Sequence, residues 1–214
     1  MEQPPRIKIC GITSLDDAQL AAEAGAWALG MIFWPGSRRR CRLPEAERIT
    51  SALRRRVELV GVFVNAHLDE VVGLADGLGL TMVQLHGDEG PAYSAEVARR
   101  TGAKVVKAHR VRARADLQAL EAFHTDFHLL DAHVPGQRGG TGETFDWDLV
   151  AARRSNVPLV LSGGLTADNV ADAIAATRPY AVDVATGTEA APGVKDPAKI
   201  EAFVASVTGS GARV

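Results

Sequence analysis

The sequence predicts an α/β chain folded as a single-domain (β/α)8 TIM barrel over residues 1–214. Three observations lead there. Eight short β-rich runs recur along the chain, and most are continuously apolar, as parallel strands covered on both faces are. Segments with helical spacing lie between them. No composition break, linker or low-complexity stretch interrupts the alternation. A doubly wound open sheet is the alternative, because it produces the same order of elements.

The predicted strands are Ile7–Cys10, Ala28–Phe33, Leu59–Val64, Met82–Leu85, Val105–Ala108, Phe127–Asp131, Leu159–Ser162 and Val182–Ala185. Ser14 with Asp17 resembles a capping box ahead of the first, alanine-rich helix. Pro44 and Glu45 open the second, with Ala46, Ile49 and Leu53 facing inward. Leu68, Val71, Val72 and Ala75 mark a third helix, Tyr93, Val97 and Ala98 a fourth. Leu117, Leu120 and Phe123 mark a fifth, and Trp147, Val150 and Ala151 a short sixth. Thr166 caps a seventh that carries Val170, Ala173 and Ile174. The last has Asp196 as N-cap, Pro197 as first residue, and Ile200, Phe203, Val204 and Val207 at i, i+3, i+4 and i+7. The chain after Thr208 is expected to fray.

The totals exclude several classes. A net charge of −2 speaks against a nucleic-acid partner or an anionic membrane surface. No apolar run is long enough to span a bilayer, and the N-terminus lacks a signal-peptide pattern, so a cytoplasmic protein is expected. The two cysteines, Cys10 and Cys41, make no disulfide framework and are expected as free thiols, Cys41 in packing. The six histidines show no zinc spacing, and no Gly-x-Gly-x-x-Gly follows the first strand, so neither metal nor cofactor is expected. His124, His128 and His133 are read as surface or packing residues.

A barrel points every strand's C-terminal end at one face. That gathers Cys10, the arginine run Arg38-Arg39-Arg40, Asn65, His86, Asp131 with the four-glycine loop after it, Ser162-Gly163-Gly164 and Thr186-Gly187-Thr188 on one rim. Gly163 and Gly164 before a helix, beside Gly187 and Thr188, offer unobstructed backbone N–H groups to an anion, and in barrels this pair of loops frequently holds phosphate. Two ordinary tight turns would look the same. Cys10 is a candidate base, since nearby cations would bring its thiolate within reach of neutral pH; a lone cysteine is otherwise a packing residue. Asp131 serves as a general acid only if burial or an anionic ligand raises its pKa. Together they make an acid–base pair for two steps of a proton transfer. The arginines suit bidentate contact with a carboxylate, or a solvated surface run.

In order along the chain stand Lys8-Ile9-Cys10-Gly11-Ile12-Thr13, Gly61-Val62-Phe63-Val64-Asn65, Val83-Gln84-Leu85-His86-Gly87 and Leu129-Leu130-Asp131 with Gly139-Gly140-Thr141-Gly142 and Phe145-Asp146-Trp147. Ser162-Gly163-Gly164-Leu165 with Asn169-Val170, Val182-Asp183-Val184 with Gly187 and Glu189, and Lys195-Asp196 follow. Together these resemble the phosphoribosylanthranilate isomerase family over nearly the whole chain. The resemblance implies a small barrel acting without cofactor or metal on a phosphorylated small molecule. The reaction it implies is the Amadori rearrangement of N-(5-phosphoribosyl)anthranilate to 1-(2-carboxyphenylamino)-1-deoxyribulose 5-phosphate in tryptophan biosynthesis. By position it makes Cys10 the general base and Asp131 the general acid. Pro35-Gly36-Ser37-Arg38-Arg39 places the carboxylate-binding arginine at Arg39, with Arg38 and Arg40 able to share the contact. The chain departs from the family at Ala185 and Thr186, where two serines usually precede the glycine: Thr186 keeps a hydroxyl and Ala185 has none.

Two other readings compete. One is the related isomerase of the histidine pathway, which needs a carboxylate in place of Cys10 and a second phosphate site. The other is a non-catalytic sugar-phosphate-binding barrel, which needs neither Cys10 nor Asp131 at a strand end. Nothing in the residues distinguishes a monomer from a homodimer.

Overall fold

The computed structural model describes residues 3–111, 113–131, 147–151 and 153–210. Eight parallel strands close into a barrel in chain order: β1 (Arg6–Cys10), β2 (Ala28–Ile32), β3 (Glu58–Phe63), β4 (Met82–Leu85), β5 (Lys104–Arg110), β6 (Phe127–Asp131), β7 (Leu159–Ser162) and β8 (Ala181–Val184). The pairing of β1 with β8, Lys8 opposite Asp183 and Ile9 opposite Val184, closes the ring and excludes the open sheet. The helices are α1 (Leu15–Glu23), α2 (Leu43–Leu53), α3 (Leu68–Leu78), α4 (Pro91–Thr101), α5 (Arg114–Ala119), α6 (Trp147–Ala151), α7 (Val170–Thr177) and α8 (Pro197–Ser210).

Both strand faces are buried, which is why the runs read as continuously apolar. One face packs under the helices: Ile7 and Ile9, Val83 and Leu85, Val182 and Val184 sit there with Ile49, Val71, Val97, Val170 and Phe203. The other fills the barrel with Ala28, Val60, Val62, Met82, Val106, Leu129 and Val160. The N-terminal end of the barrel is closed by aromatic rings. Trp27 stands edge-on to Phe127 and Tyr180, and the Arg6 guanidinium lies over both Trp27 and Tyr180.

Most of the helix signals hold. The Ser14 hydroxyl accepts from the Asp17 N–H, and Asp196 precedes Pro197 with its carboxylate accepting from the Lys199 N–H. The capping box at Ser14 is not reciprocal, because Asp17 accepts from the Lys195 N–H instead. Thr166 does not cap α7 with its side chain. Asn169 takes that position, its amide oxygen accepting from the Thr166 N–H and its amide nitrogen donating to the Gly164 carbonyl. Helix α8 runs on through Gly209 and Ser210, where fraying was expected. A two-stranded antiparallel hairpin, β9 (Glu189–Ala191) and β10 (Val194–Lys195), follows β8 and was not foreseen. It is too short for any periodicity to register. The glycine loop after Asp131, and His133 within it, lie outside the described residues.

His128 is a packing residue, as expected. It is almost fully buried on β6; its Nε2 lies 3.1 Å from the Phe123 carbonyl and its Nδ1 3.3 Å from Arg153 Nη2. Burial lowers its pKa from 6.5 to about 4. The unfolded chain therefore takes up this proton first, and stability present above pH 6.5 is lost as pH falls toward 4. The slope is at most about 1.4 kcal/mol per pH unit before solvent screening reduces it. His128→Gln should flatten the fall of Tm with pH across this window; an unchanged slope would place the acid sensitivity elsewhere.

Candidate active site

The C-terminal rim brings the predicted residues together from distant parts of the chain. Cys10 ends β1 and Asp131 ends β6. Gly163 and Gly164 follow β7 with φ of 102° and 65°, backbone that a side chain would strain. Gly187 and Thr188 lie in the turn after β8. Gly187 packs so closely on the β7 loop that a Cβ would stand 2.1 Å from the Leu165 carbonyl oxygen. The two glycine loops are thus neighbours. Thr188 is fully buried; its N–H and hydroxyl both engage the Ala185 carbonyl, and the hydroxyl also accepts from Lys195.

Of the three consecutive arginines, Arg38 and Arg40 are exposed and Arg39 turns inward. Arg39 lies across Gly11, its Cδ 2.9 Å from where a Cβ there would be. Its Nε and Nη2 each donate to Glu189 at 2.7 Å, and Nη2 reaches Thr186 Oγ1 at 3.3 Å. This side-on pairing fixes the guanidinium through Nε and Nη2, within electrostatic reach of Cys10. Burial alone would raise the Glu189 pKa, but Arg39, Lys195 and the Gly193 N–H hold it below the ordinary range.

Beneath Cys10 the barrel interior is charged. Lys8, 2% exposed, donates to Asp183 Oδ1 at 2.7 Å, and Asp183 Oδ2 accepts from Ser162 Oγ at 3.1 Å. Lys195 donates to the carbonyls of Cys10 and Ala185 and to Thr188 Oγ1, tying β1, β8 and the hairpin together. The nearby cations expected for Cys10 are present, yet burial pushes its thiol up further than Lys8 and Lys195 pull it down. Cys41 is a packing thiol, as expected, pushed up to about 12 by burial.

Around Asp131, His86 is the recognisable neighbour. Its Nε2 lies 3.8 Å from Asp131 Oδ2, and its Nδ1 lies 2.9 Å from Gln84 Nε2. The ring thus bridges the Gln84 amide on β4 and the carboxylate at the end of β6. On this side a cleft of about 530 Å³ opens between His86, Lys107, His109, Arg110 and Phe123. Its floor is held by Lys107, which bonds the Gly87 carbonyl at 2.7 Å and Glu89 at 3.0 Å.

Residue-type reasoning assigned no role to Lys8, Asp183, Glu189 or Lys195. Lys8 and Asp183 did carry a signal. An ionisable side chain inside an apolar strand is costly unless paired, so each pointed to a partner in the interior. Glu189 and Lys195 sit on the unforeseen hairpin.

This architecture is shared with characterised proteins. A family model described as N-(5'-phosphoribosyl)anthranilate (PRA) isomerase matches residues 7–206. N-(5'-phosphoribosyl)anthranilate isomerase of Citrifermentans bemidjiense is 50% identical over 200 residues, covering 94% of this chain and 95% of the relative. Phosphoribosyl anthranilate isomerase from Thermotoga maritima superposes with a TM-score of 0.85 at 42% identity, over 96% of this chain and 99% of the other. A solved structure of the enzyme in complex with reduced 1-(O-carboxyphenylamino)-1-deoxyribulose 5-phosphate superposes with a TM-score of 0.82 at 40% identity, over 96% and 99% of the two chains. With matched sequence running from β1 into α8, and the same closed barrel in the solved relatives, this chain belongs to the N-(5'-phosphoribosyl)anthranilate isomerase family of tryptophan biosynthesis.

Proposed function

We propose that residues 1–214 work as one barrel domain in which Cys10 and Asp131 carry out the isomerisation of N-(5-phosphoribosyl)anthranilate as base and acid. The observation that carries this reading is their placement: the thiol and the carboxyl end β1 and β6 on the same rim of the barrel. Asp131 gives its proton to the ribose ring oxygen as the C1'–O bond breaks, leaving a protonated Schiff base at C1'. The Cys10 thiolate then takes the C2' proton, which the iminium has made acidic, and the C–H pair moves into the C1'–C2' bond. Protonation of the enolamine at C1' and loss of the 2'-hydroxyl proton give the ketone and restore both groups. Each transfer accounts for about 10²–10⁴-fold in rate.

Binding groups flank the pair. Arg39, held by Glu189, presents its remaining edge to the anthranilate carboxylate. Backbone N–H groups at Gly163, Gly164 and Gly187 receive the phosphate. Thr188 belongs to that site by shaping its loop, since its own polar groups are spent on Ala185 and Lys195. Anchors at both ends orient the sugar between acid and base. Among the described residues no helix is long and apolar enough to cross a membrane, and we place the activity in the cytoplasm on its substrate's chemistry.

The deciding experiment is turnover of freshly generated N-(5-phosphoribosyl)anthranilate, followed by loss of its fluorescence with EDTA present. Conversion is the expected result. Tight binding without conversion would favour a sugar-phosphate-binding barrel, and no binding would mean a different substrate.

A further inference from the structure

Cys10 has to lose a proton inside a barrel that disfavours its thiolate, so something in the interior must favour the anion. The charged groups around it are Lys8 on its own strand, Asp183 on β8, Lys195 on β10, Glu189 on β9 and Arg39 from the loop after β2. These are three cations and two carboxylates. A thiolate would bring the cluster to neutrality, which a neutral thiol does not.

The cations are not equivalent. An ammonium has three hydrogens to give. Lys195 directs its own at the Cys10 carbonyl, the Ala185 carbonyl and Thr188 Oγ1. Arg39 commits Nε and Nη2 to Glu189. Lys8 bonds Asp183 and stands beside the sulfur: Cys10 Sγ and Lys8 Nζ lie 2.7 and 3.2 Å from the point a Gly30 Cβ would occupy. Glycine at position 30 of β2 is what leaves room for that approach. Asp183 is in turn held by Ser162, so the ammonium is fixed from β7 and β8.

We propose that Lys8 is a positioning residue for the base: its ammonium, anchored by Asp183, sits against the Cys10 sulfur and supplies the charge that makes the thiolate available for the C2' proton. The proposal rests on Cys10 being the base. No proton passes through Lys8, which stays an ammonium while the sulfur is alternately thiolate and thiol.

The test is the ultraviolet thiolate absorbance against pH, beside kcat and KM against pH. Cys10→Ser serves as the blank, and Cys41, pushed up to about 12, stays silent in the working range. The double variant Lys8→Met with Asp183→Asn removes both charges and leaves neither partner buried alone. Its Cys10 titration should move up by about one pH unit or more, with kcat near neutrality down about tenfold or more and recovering as pH rises. KM should stay within about threefold, because Lys8 holds no part of the substrate. Lys8→Arg should restore part of the loss. Lys8→Gln with Asp183→Asn replaces the ion pair with a neutral hydrogen-bonding pair and should show the same upward move; this arm decides if the methionine variant does not fold. A titration unmoved in these variants, or a fall in kcat equal at every pH, would overturn the role of Lys8. Full turnover in Cys10→Ser would instead overturn the base assignment itself.

Discussion

Cys10→Ser should lower kcat roughly a thousandfold, in the middle of the range for loss of a positioned base, while leaving substrate affinity close to that of the wild type. Serine keeps the size and position of the group at the end of β1, but its hydroxyl is far harder to deprotonate than a thiol. Asp131→Asn should cost a similar factor by removing the donor to the ring oxygen and keeping the shape. The wild type should also show the thiol in its pH dependence. Burial holds the Cys10 pKa above its ordinary value, so the thiolate is the minor form at neutral pH. Its fraction grows about tenfold per pH unit until the raised pKa is reached, and kcat should climb along with it before other groups interfere. Steady-state kinetics across pH, beside a binding titration with a reduced product analogue, checks each part. Near-normal turnover in either variant would remove that residue from its role.

Most of this architecture is written in hydrophobic pattern. Strands covered on both faces read as apolar runs, so β4, β6 and β7 could be placed to the residue, and α8 announces itself through Asp196, Pro197 and the spacing from Ile200 to Val207. Candidate site residues were legible where a polar group ends such a run, as Cys10 and Asp131 do. What pattern cannot carry is the pairing across the barrel. Lys8 and Asp183 lie 175 residues apart and meet only because β8 closes onto β1. The hairpin bearing Glu189 and Lys195 is too short to have a period, yet it fixes Arg39 and the end of β1. The direction of the Cys10 shift was also out of reach, since it is a balance of burial against charges that only the closed barrel assembles.

Gly187→Ala should damage binding more than chemistry. The added Cβ would stand 2.1 Å from the Leu165 carbonyl oxygen and 3.1 Å from Val184 Cγ2. The first obstacle is backbone, which has no rotamer to yield, and Leu165 is anchored in the core. The turn after β8 must therefore move away from the turn after β7. Overpacking of this kind costs about 1–3 kcal/mol of stability, visible as a lower Tm. The same displacement parts the N–H groups of Gly187 from those of Gly163 and Gly164, so an anion can no longer meet all three. A loss of about 1.4 kcal/mol of phosphate binding is tenfold in affinity, and KM should rise by at least about that factor. Because Cys10 and Asp131 sit on other strands, kcat at saturating substrate should fall much less. Inorganic phosphate gives an independent reading: it should inhibit the wild type competitively and the variant only at far higher concentration. If the variant lost stability but kept both its KM and its sensitivity to phosphate, the close packing of the two loops would be a matter of folding alone, and the phosphate would have to be held elsewhere on the rim.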